Sequence, residues 1–432
     1  MKVFDLKVTT SIVVANMIGT GVFTTLGLQM QSVQSTFSIM LLWLAGGLIA
    51  FCGAICYARL ATIFPRSGGE YHFISKIYNP AFGFVAGMIS IVAGFAAPLA
   101  LTALAMGNYL QNIVDLDPIF SGTCIIVLLS IIHATSVSKG GKAHFGLTIL
   151  KIALILFFIV SAFLIGGGES GASTPAKSFV VTELFSSNFA VALVFISFAY
   201  SGWNASCYIQ EEVKNQKKNI TRSLLIGTSL VTVLYLLINF AFLHTGPTDQ
   251  LIGRIDVAHV AALHIFGNNG ALMMDALIAF GLIASISSLI IAGPRVMKVM
   301  GEDHQSFKSL ALINSDGAPA RSILLQSFIA LVLLLTFSFE SILLYVGFTL
   351  MLFTMAVVFG LLLTSFRNRS IKLSTLQIVS GIVFLGINTW TVLYLIYSQP
   401  YESLAGALVI AAGFIFYYLF VDKKKEVEEV GA

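Results

Sequence analysis

Twelve long apolar runs follow one another along the chain, at 9–30, 37–62, 82–110, 121–138, 145–167, 188–211, 220–244, 270–297, 321–338, 341–366, 371–397 and 402–421, each parted from the next by a short polar connection. Within a run the apolar residues are continuous. They do not alternate with polar ones as the strands of a membrane barrel do, and most runs reach the ~20 residues an α-helix needs to cross the hydrocarbon core. The pattern predicts an all-α polytopic membrane protein of twelve transmembrane helices, with no room for a folded soluble domain between them. The run beginning at residue 9 is too long for the apolar core of a signal peptide and has no small-residue cleavage site behind it, so it reads as the first span.

Two of these runs are interrupted at their centres. "NMIGTGVF", residues 16–23, places two glycines around a threonine in the first span. A glycine costs a helix interior roughly 1 kcal/mol relative to alanine, so its doubling at mid-span asks for a cause. "SFAYSGWNASC", residues 197–207, interrupts the sixth span with serine, glycine and asparagine. Interruptions at corresponding positions of two five-span halves predict an inverted repeat. The halves are 1–167 and 188–366, followed by two additional helices at 371–421 and a tail at 422–432. Close packing of small residues explains either interruption alone but not the matched pair.

Backbone groups freed at a break are tolerable at membrane depth only where they line a cavity or meet a ligand. The start of the second half-helix offers N–H groups and a positive dipole end to a carboxylate, and the end of the first half-helix offers carbonyls to an ammonium. A short zwitterion satisfies both, and the α-amino acid backbone is the obvious one. The expected binding residues are Ile18, Gly19, Thr20, Gly21 and Val22 at the first break and Phe198, Ala199, Ser201 and Asn204 at the second, with the carboxylate at the amides of 20–22 and the ammonium at the carbonyls of Ile18 and Phe198. Phe198 is also placed to close over the ligand as a gate.

Charge adds orientation. Of 432 residues 57% are hydrophobic and only 10% charged, and the mean hydropathy is +0.92. With the N-terminus inside, all but three of the 24 lysines and arginines fall in cytoplasmic segments; Lys177 and Arg254 lie outside and Lys151 within a span. This asymmetry predicts an even number of spans, both termini in the cytoplasm and a cell-membrane location. The net charge of +4 then reports topology and not nucleic-acid binding. The four cysteines, Cys52, Cys56, Cys124 and Cys207, have no metal or disulfide spacing. No motif of an intramembrane hydrolase or of a nucleotide-driven pump occurs, and no cofactor is expected. An amino-acid sensor or scaffold remains as a further class, for which the sequence lacks a large regulatory tail.

The segments "MIGTGVF", "FPRSGGEYHFI" (64–74) and "FAYSGWNASCYIQEEVKN" (198–215) resemble the amino acid–polyamine–organocation superfamily, and within it the L-amino acid transporters. The resemblance covers nearly the whole chain. It implies a five-plus-five core of the leucine-transporter type, two extra C-terminal helices, alternating access and exchange of amino acids without sodium. The chain departs from the family pattern in having Arg59 in "YARLAT", and no cysteine in "NIVDLDPIFSG" (112–122), where animal members bond a heavy subunit. A disulfide-linked heavy subunit is therefore not expected.

Lys151, in "GLTILKIALILFF", lies one or two turns inside the fifth span. A buried ammonium costs several kcal/mol. One reading is a side chain snorkelling to the interface near Lys142 and His144. The other is a fixed cation that hydrogen-bonds the freed carbonyls near Ile18 and Gly19 and a hydroxyl on the eighth span such as Ser285, where sodium sits in sodium-coupled relatives of the fold. The resemblance implies the second, and a titrating lysine would instead couple transport to protons. No acidic residue falls at mid-span in spans 1, 3, 6 or 10, which points to neutral substrates. Where many large-neutral transporters read "FAYGGWN", this chain has Ser201, a narrower pocket similar to that of the alanine–serine–cysteine branch. Asn204 is expected to cap the second half-helix or touch substrate, and Tyr235, in "VTVLYLLINFAF", resembles a tyrosine of the seventh span that helps close the site.

Overall fold

The computed structural model describes residues 4–33, 35–135, 140–165, 181–315 and 317–421; Lys2, Lys139, Lys177 and the tail from 422 lie outside the described residues, as do the side chains of Lys142 and His144. Among the described residues there is no β-strand, only an isolated bridge between Phe4 and Val213. Ten helical segments are long and apolar enough to cross a membrane, and two shorter apolar helices, Ser187–Ala199 and Ala320–Thr336, join them.

The first span is two helices. α1 (Leu6–Met17) starts at Asp5, whose carboxylate accepts the Val8 amide at 2.9 Å, and stops at Ile18, where ψ swings to 80°. α2 (Gly21–Ser32) begins three residues on. α3 (Thr36–Ile63) is capped by Ser35, and a short α4 (Glu70–Ile77) follows two glycines of positive φ, Gly68 and Gly69. The third span, α5 (Pro80–Gln111), opens on an Asn79 cap with Pro80 in its first turn. Over Ser90–Ala96 it widens into a π-helical turn. Pro98, just beyond, has no N–H to give and crowds the carbonyl one turn back, so the ladder shifts register there.

α6 (Pro118–Thr135) and α7 (Gly140–Ile165) complete the first five spans. The sixth is again broken: α8 (Ser187–Ala199), an irregular turn at 200–204, and a 3₁₀ segment over Ala205–Glu212. α9 (Gln216–Thr245), α10 (Val257–Asp303), α11 (Ala320–Thr336), α12 (Phe339–Arg367), α13 (Thr375–Ser398) and α14 (Pro400–Phe420) follow. Two boundaries differ from the apolar pattern for identifiable reasons. α10 runs 47 residues because a preceding helix joins it end to end across Gly267, whose φ of 68° makes the kink. α13 starts at Thr375 and not 371 because Ser374 and Gln377 form a capping box.

The two broken spans lie at the centre of the bundle. α1 packs on α9, α2 on α8, and α9 on α3. The chain start is tied to the end of the sixth span: the Phe4 amide donates to the Glu212 carbonyl at 3.0 Å and the Lys214 amide to the Phe4 carbonyl at 2.8 Å. Around this core, leucine, isoleucine and phenylalanine side chains such as Leu44, Phe120, Leu164, Phe328, Leu376 and Leu408 point outward and stay exposed. An apolar outer surface around fully hydrogen-bonded helices is what a bilayer requires, and the protein is a multi-pass membrane protein.

Candidate functional site

The breaks of the first and sixth spans meet. A Cβ added to Gly21 would lie 2.5 Å from the Cα of Ala199, so only glycine lets α2 come this close to the end of α8. Gly202 makes the second close approach: its φ is +90°, and a Cβ there would lie 2.8 Å from the carbonyl carbon and oxygen of Asn16.

Three small cavities open around this contact. One of about 40 Å³ lies between the breaks, lined by Asn16, Gly19, Thr20, Gly21, Pro98, Phe198, Ala199 and Ser201, with Ser285 and Ser288 of α10 on its far wall. A larger one, about 160 Å³, extends from it toward α4 and shares Asn16, Pro98, Phe198, Ser201 and Leu289 with it; Asn204, Glu70, Tyr208 and Arg295 lie farther along. The third, about 30 Å³, is lined by Ile18, Gly19, Phe23, Lys151 and Ser285. The smallest-sided residues of the two breaks thus face the central cavity, with Phe198 as its one large side chain from the sixth span.

The freed backbone groups divide by sign. In the first turn of α2 the Phe23 amide donates to the Thr20 carbonyl at 2.9 Å, whereas the amides of Gly21 and Val22 have no carbonyl of their own helix to meet. On the other side, the last carbonyls of the half-helices carry partners. The Tyr235 hydroxyl lies 2.5 Å from the carbonyl of Met17 and 3.1 Å from that of Ala199 and shares its one proton between them, so one side chain from α9 touches the ends of both α1 and α8. Lys151 donates to the Ile18 carbonyl at 3.4 Å and to the Ser285 hydroxyl at 2.6 Å. The Phe198 carbonyl accepts the Ser201 amide at 2.9 Å within the turn. The Tyr200 amide also reaches the Phe198 carbonyl, so of the two it is the Ile18 carbonyl, with one donor for two lone pairs, that keeps acceptor capacity. Lys151 enters none of the ion pairs among the described residues; its ammonium is held by a carbonyl and a hydroxyl alone.

The expected residues therefore come together, with two qualifications. Val22 is fully buried and lines none of the three cavities. The Asn204 side chain does not cap the segment that follows it; its amide nitrogen donates to Glu70. Asp275 is completely buried in α10, eight residues past the Gly267 kink, and pairs with His259 at 2.6 Å, and Glu212 pairs with Arg295, on the wall of the larger cavity, at 3.4 Å. Among the described residues no group of histidine, cysteine and carboxylate side chains is arranged to hold a metal ion, and all four cysteines are free.

Sequence reasoning missed Glu70. It lies on no apolar run, yet at 4% exposed it reaches the larger cavity and accepts the hydroxyls of Tyr57 and Tyr208 as well as the Asn204 amide. Its signal was an acidic residue in the first turn of a helix after a pair of glycines, "SGGEY". Asn16, Pro98 and Ser288 were missed as well, because nothing local sets them apart from ordinary span residues.

Tyr235→Phe keeps the ring and removes both hydroxyl bonds to the break carbonyls. The hydroxyl has a single proton to share between the two carbonyls, so the loss is that of one donor, worth about 1 kcal/mol. Transport is expected to fall roughly tenfold while the purified protein unfolds in detergent at nearly the same temperature; an unaltered rate would show that the hydroxyl only fills a packing site.

Comparison with known proteins yields a consistent set. A model of the amino acid permease family matches residues 4–421. The b(0,+)-type amino acid transporter 1 of Homo sapiens is 26% identical over 435 residues, covering 96% of this chain and 87% of the relative, and that of Mus musculus is 25% identical over 431 residues, covering 95% and 86%. The large neutral amino acids transporter small subunit 2 of Rattus norvegicus is 26% identical over 437 residues, covering 95% of this chain and 79% of the relative.

Proposed function

The chain belongs to the amino acid permease family and is an amino acid transporter, not an enzyme, and from that premise we propose that it exchanges small neutral L-amino acids such as alanine, serine and cysteine, without sodium, by alternating access. The observation that carries the reading is the ammonium of Lys151 between the Ile18 carbonyl and the Ser285 hydroxyl. A fixed cation there supplies at the first break the positive charge that a bound sodium ion would otherwise bring. The substrate carboxylate meets the amides of Thr20, Gly21 and Val22, and its ammonium meets the carbonyls of Ile18 and Phe198, displacing the weaker turn contact at the latter. Ser201 at the side-chain cavity narrows it toward small substrates, and Phe198 closes over the ligand.

The architecture behind this reading is twelve spans, five plus five in inverted repeat and two more, with both termini in the cytoplasm of a cell membrane. The matched breaks in the first and sixth spans and the bias of lysine and arginine support it. Rocking of the broken spans against their surroundings then opens the cavities to each side in turn.

The test is uptake of labelled L-alanine into proteoliposomes, either empty or preloaded with unlabelled alanine. Uptake confined to loaded vesicles, indifferent to replacement of sodium by choline and to a pH gradient, is the expected result. Uptake into empty vesicles driven by a pH gradient would overturn exchange and make Lys151 the seat of proton coupling, a symport reading that also accommodates its having no acidic partner among the described residues.

A further inference from the structure

Glu70 is an acidic side chain at the cavity that the transport reading leaves without a role. Its carboxylate is buried on the first residue of α4, and its contacts are two phenols and an amide: Tyr57 on α3 at 2.9 Å, Tyr208 on the 3₁₀ segment, and Asn204 at the end of the second break. None of the ion pairs among the described residues includes it. Tyr57 and Asn204 share one carboxylate oxygen and Tyr208 takes the other.

The consequence lies at Asn204. A primary amide has a donor end and an acceptor end of nearly equal shape, and a half-turn about its last bond exchanges them. A carboxylate accepts hydrogen bonds, so it draws the NH₂ end and repels the carbonyl end. With the nitrogen turned to Glu70, the Asn204 oxygen accepts no hydrogen bond among the described residues, and Asn204 lines the larger cavity beside Ser201 and Phe198. We propose that Glu70 is a positioning residue for side-chain specificity: by holding the Asn204 amide nitrogen it turns the amide oxygen to the cavity, as an acceptor for substrates whose side chain carries a hydrogen-bond donor, a hydroxyl above all.

A site that presents a buried acceptor discriminates against an isostere without a donor, because the acceptor is then left unpaired. L-Serine and L-2-aminobutyrate are such a pair, a hydroxyl against a methyl at the same position. The inference rests on the exchange reading, and the experiment separates the two: competition by each amino acid against labelled alanine exchange in proteoliposomes, in the wild type and in variants. In the wild type, serine competes about tenfold more strongly than 2-aminobutyrate. Glu70→Gln, which can donate as well as accept, releases the amide and brings the ratio near one, through a higher KM for serine that 2-aminobutyrate does not share. Glu70→Asp keeps an acceptor-only partner and retains the preference. Asn204→Leu removes the acceptor itself and loses the preference to the same extent, which decides the matter should Glu70→Gln fail to fold. Equal loss of activity toward both competitors with the serine preference intact in Glu70→Gln or Asn204→Leu would overturn the proposal and reduce Glu70 to a tie between α4 and the sixth span. A wild type without serine preference would overturn it as well. A wild type that exchanges neither alanine nor serine would instead overturn the transport reading on which it rests.

Discussion

Lys151→Ala is expected to lower alanine exchange roughly a hundredfold without preventing the protein from reaching the membrane. The variant removes two hydrogen bonds from a charged donor, to the Ile18 carbonyl and the Ser285 hydroxyl. Bonds of that kind are worth about 1.5–3 kcal/mol each, and even one such loss in the transport barrier is a factor of ten or more. It also strips the first break of the one cation that lines the cavity next to Ile18 and Gly19 among the described residues. Lys151→Arg is not a conservative repair. The guanidinium is planar and longer, and the hydroxyl and carbonyl that receive the ammonium are set for a compact donor. Exchange and membrane yield are measured together in proteoliposomes and by quantitative blotting. Full exchange in Lys151→Ala would return the side chain to a snorkelling role and remove the sodium-surrogate argument.

Gly202→Ala is expected to abolish exchange and to destabilise the purified protein by at least about 2 kcal/mol. Two costs add. A φ of +90° is unfavourable for any residue with a Cβ, by about 1–2 kcal/mol. The new methyl would also lie 2.8 Å from the carbonyl carbon and oxygen of Asn16, backbone atoms that cannot step aside without moving the end of α1. Gly21→Ala carries the steric cost alone, 2.5 Å from the Ala199 Cα, and forces the two breaks apart. Gly386→Ala is the control, because nothing lies within 4 Å of its added Cβ and alanine is the better helix former. Thermal unfolding in detergent and alanine counterflow are read on all three. Gly202→Ala with wild-type melting and transport would show that the contact between the sixth-span turn and α1 yields freely.

Much of the site was legible in the sequence because its causes are local. The apolar runs report spans directly, since a bilayer allows little but continuous hydrophobic helix. The breaks at 18–20 and 200–204 announce themselves through glycine, serine and asparagine where helix formers belong. Lys151 stands out because a charge inside an apolar run is costly and therefore kept for a reason. Even its partners Ile18 and Ser285 were within reach, given two breaks and a lysine at similar depth.

What the sequence could not contain is which side chains cross between distant elements. Tyr235 was one apolar-run tyrosine among several until the packing of α9 against both breaks put its hydroxyl on Met17 and Ala199. Asn204 read as a helix cap, the usual use of asparagine at such a position, but a cap competes with any stronger acceptor nearby, and Glu70 is one. Glu70 itself sits on a short helix outside every apolar run, 134 residues before the amide it orients. The π-helical turn in α5 shows the same division: Pro98 is visible in the sequence, whereas its place on the cavity wall depends on how α5 is seated.

The sequence by itself thus determined that this protein is a bundle of membrane-crossing helices with two of them broken at mid-depth and a lysine inside another, because hydrophobic length, helix propensity and the cost of a buried charge are properties of short stretches of chain. Only the tertiary structure decided which groups meet at the breaks, that Tyr235 ties both ends and that Glu70 turns the Asn204 amide, because hydrogen bonds between residues on different elements, 36 to 218 positions apart, are chosen by packing and carry no mark in the sequence around either partner.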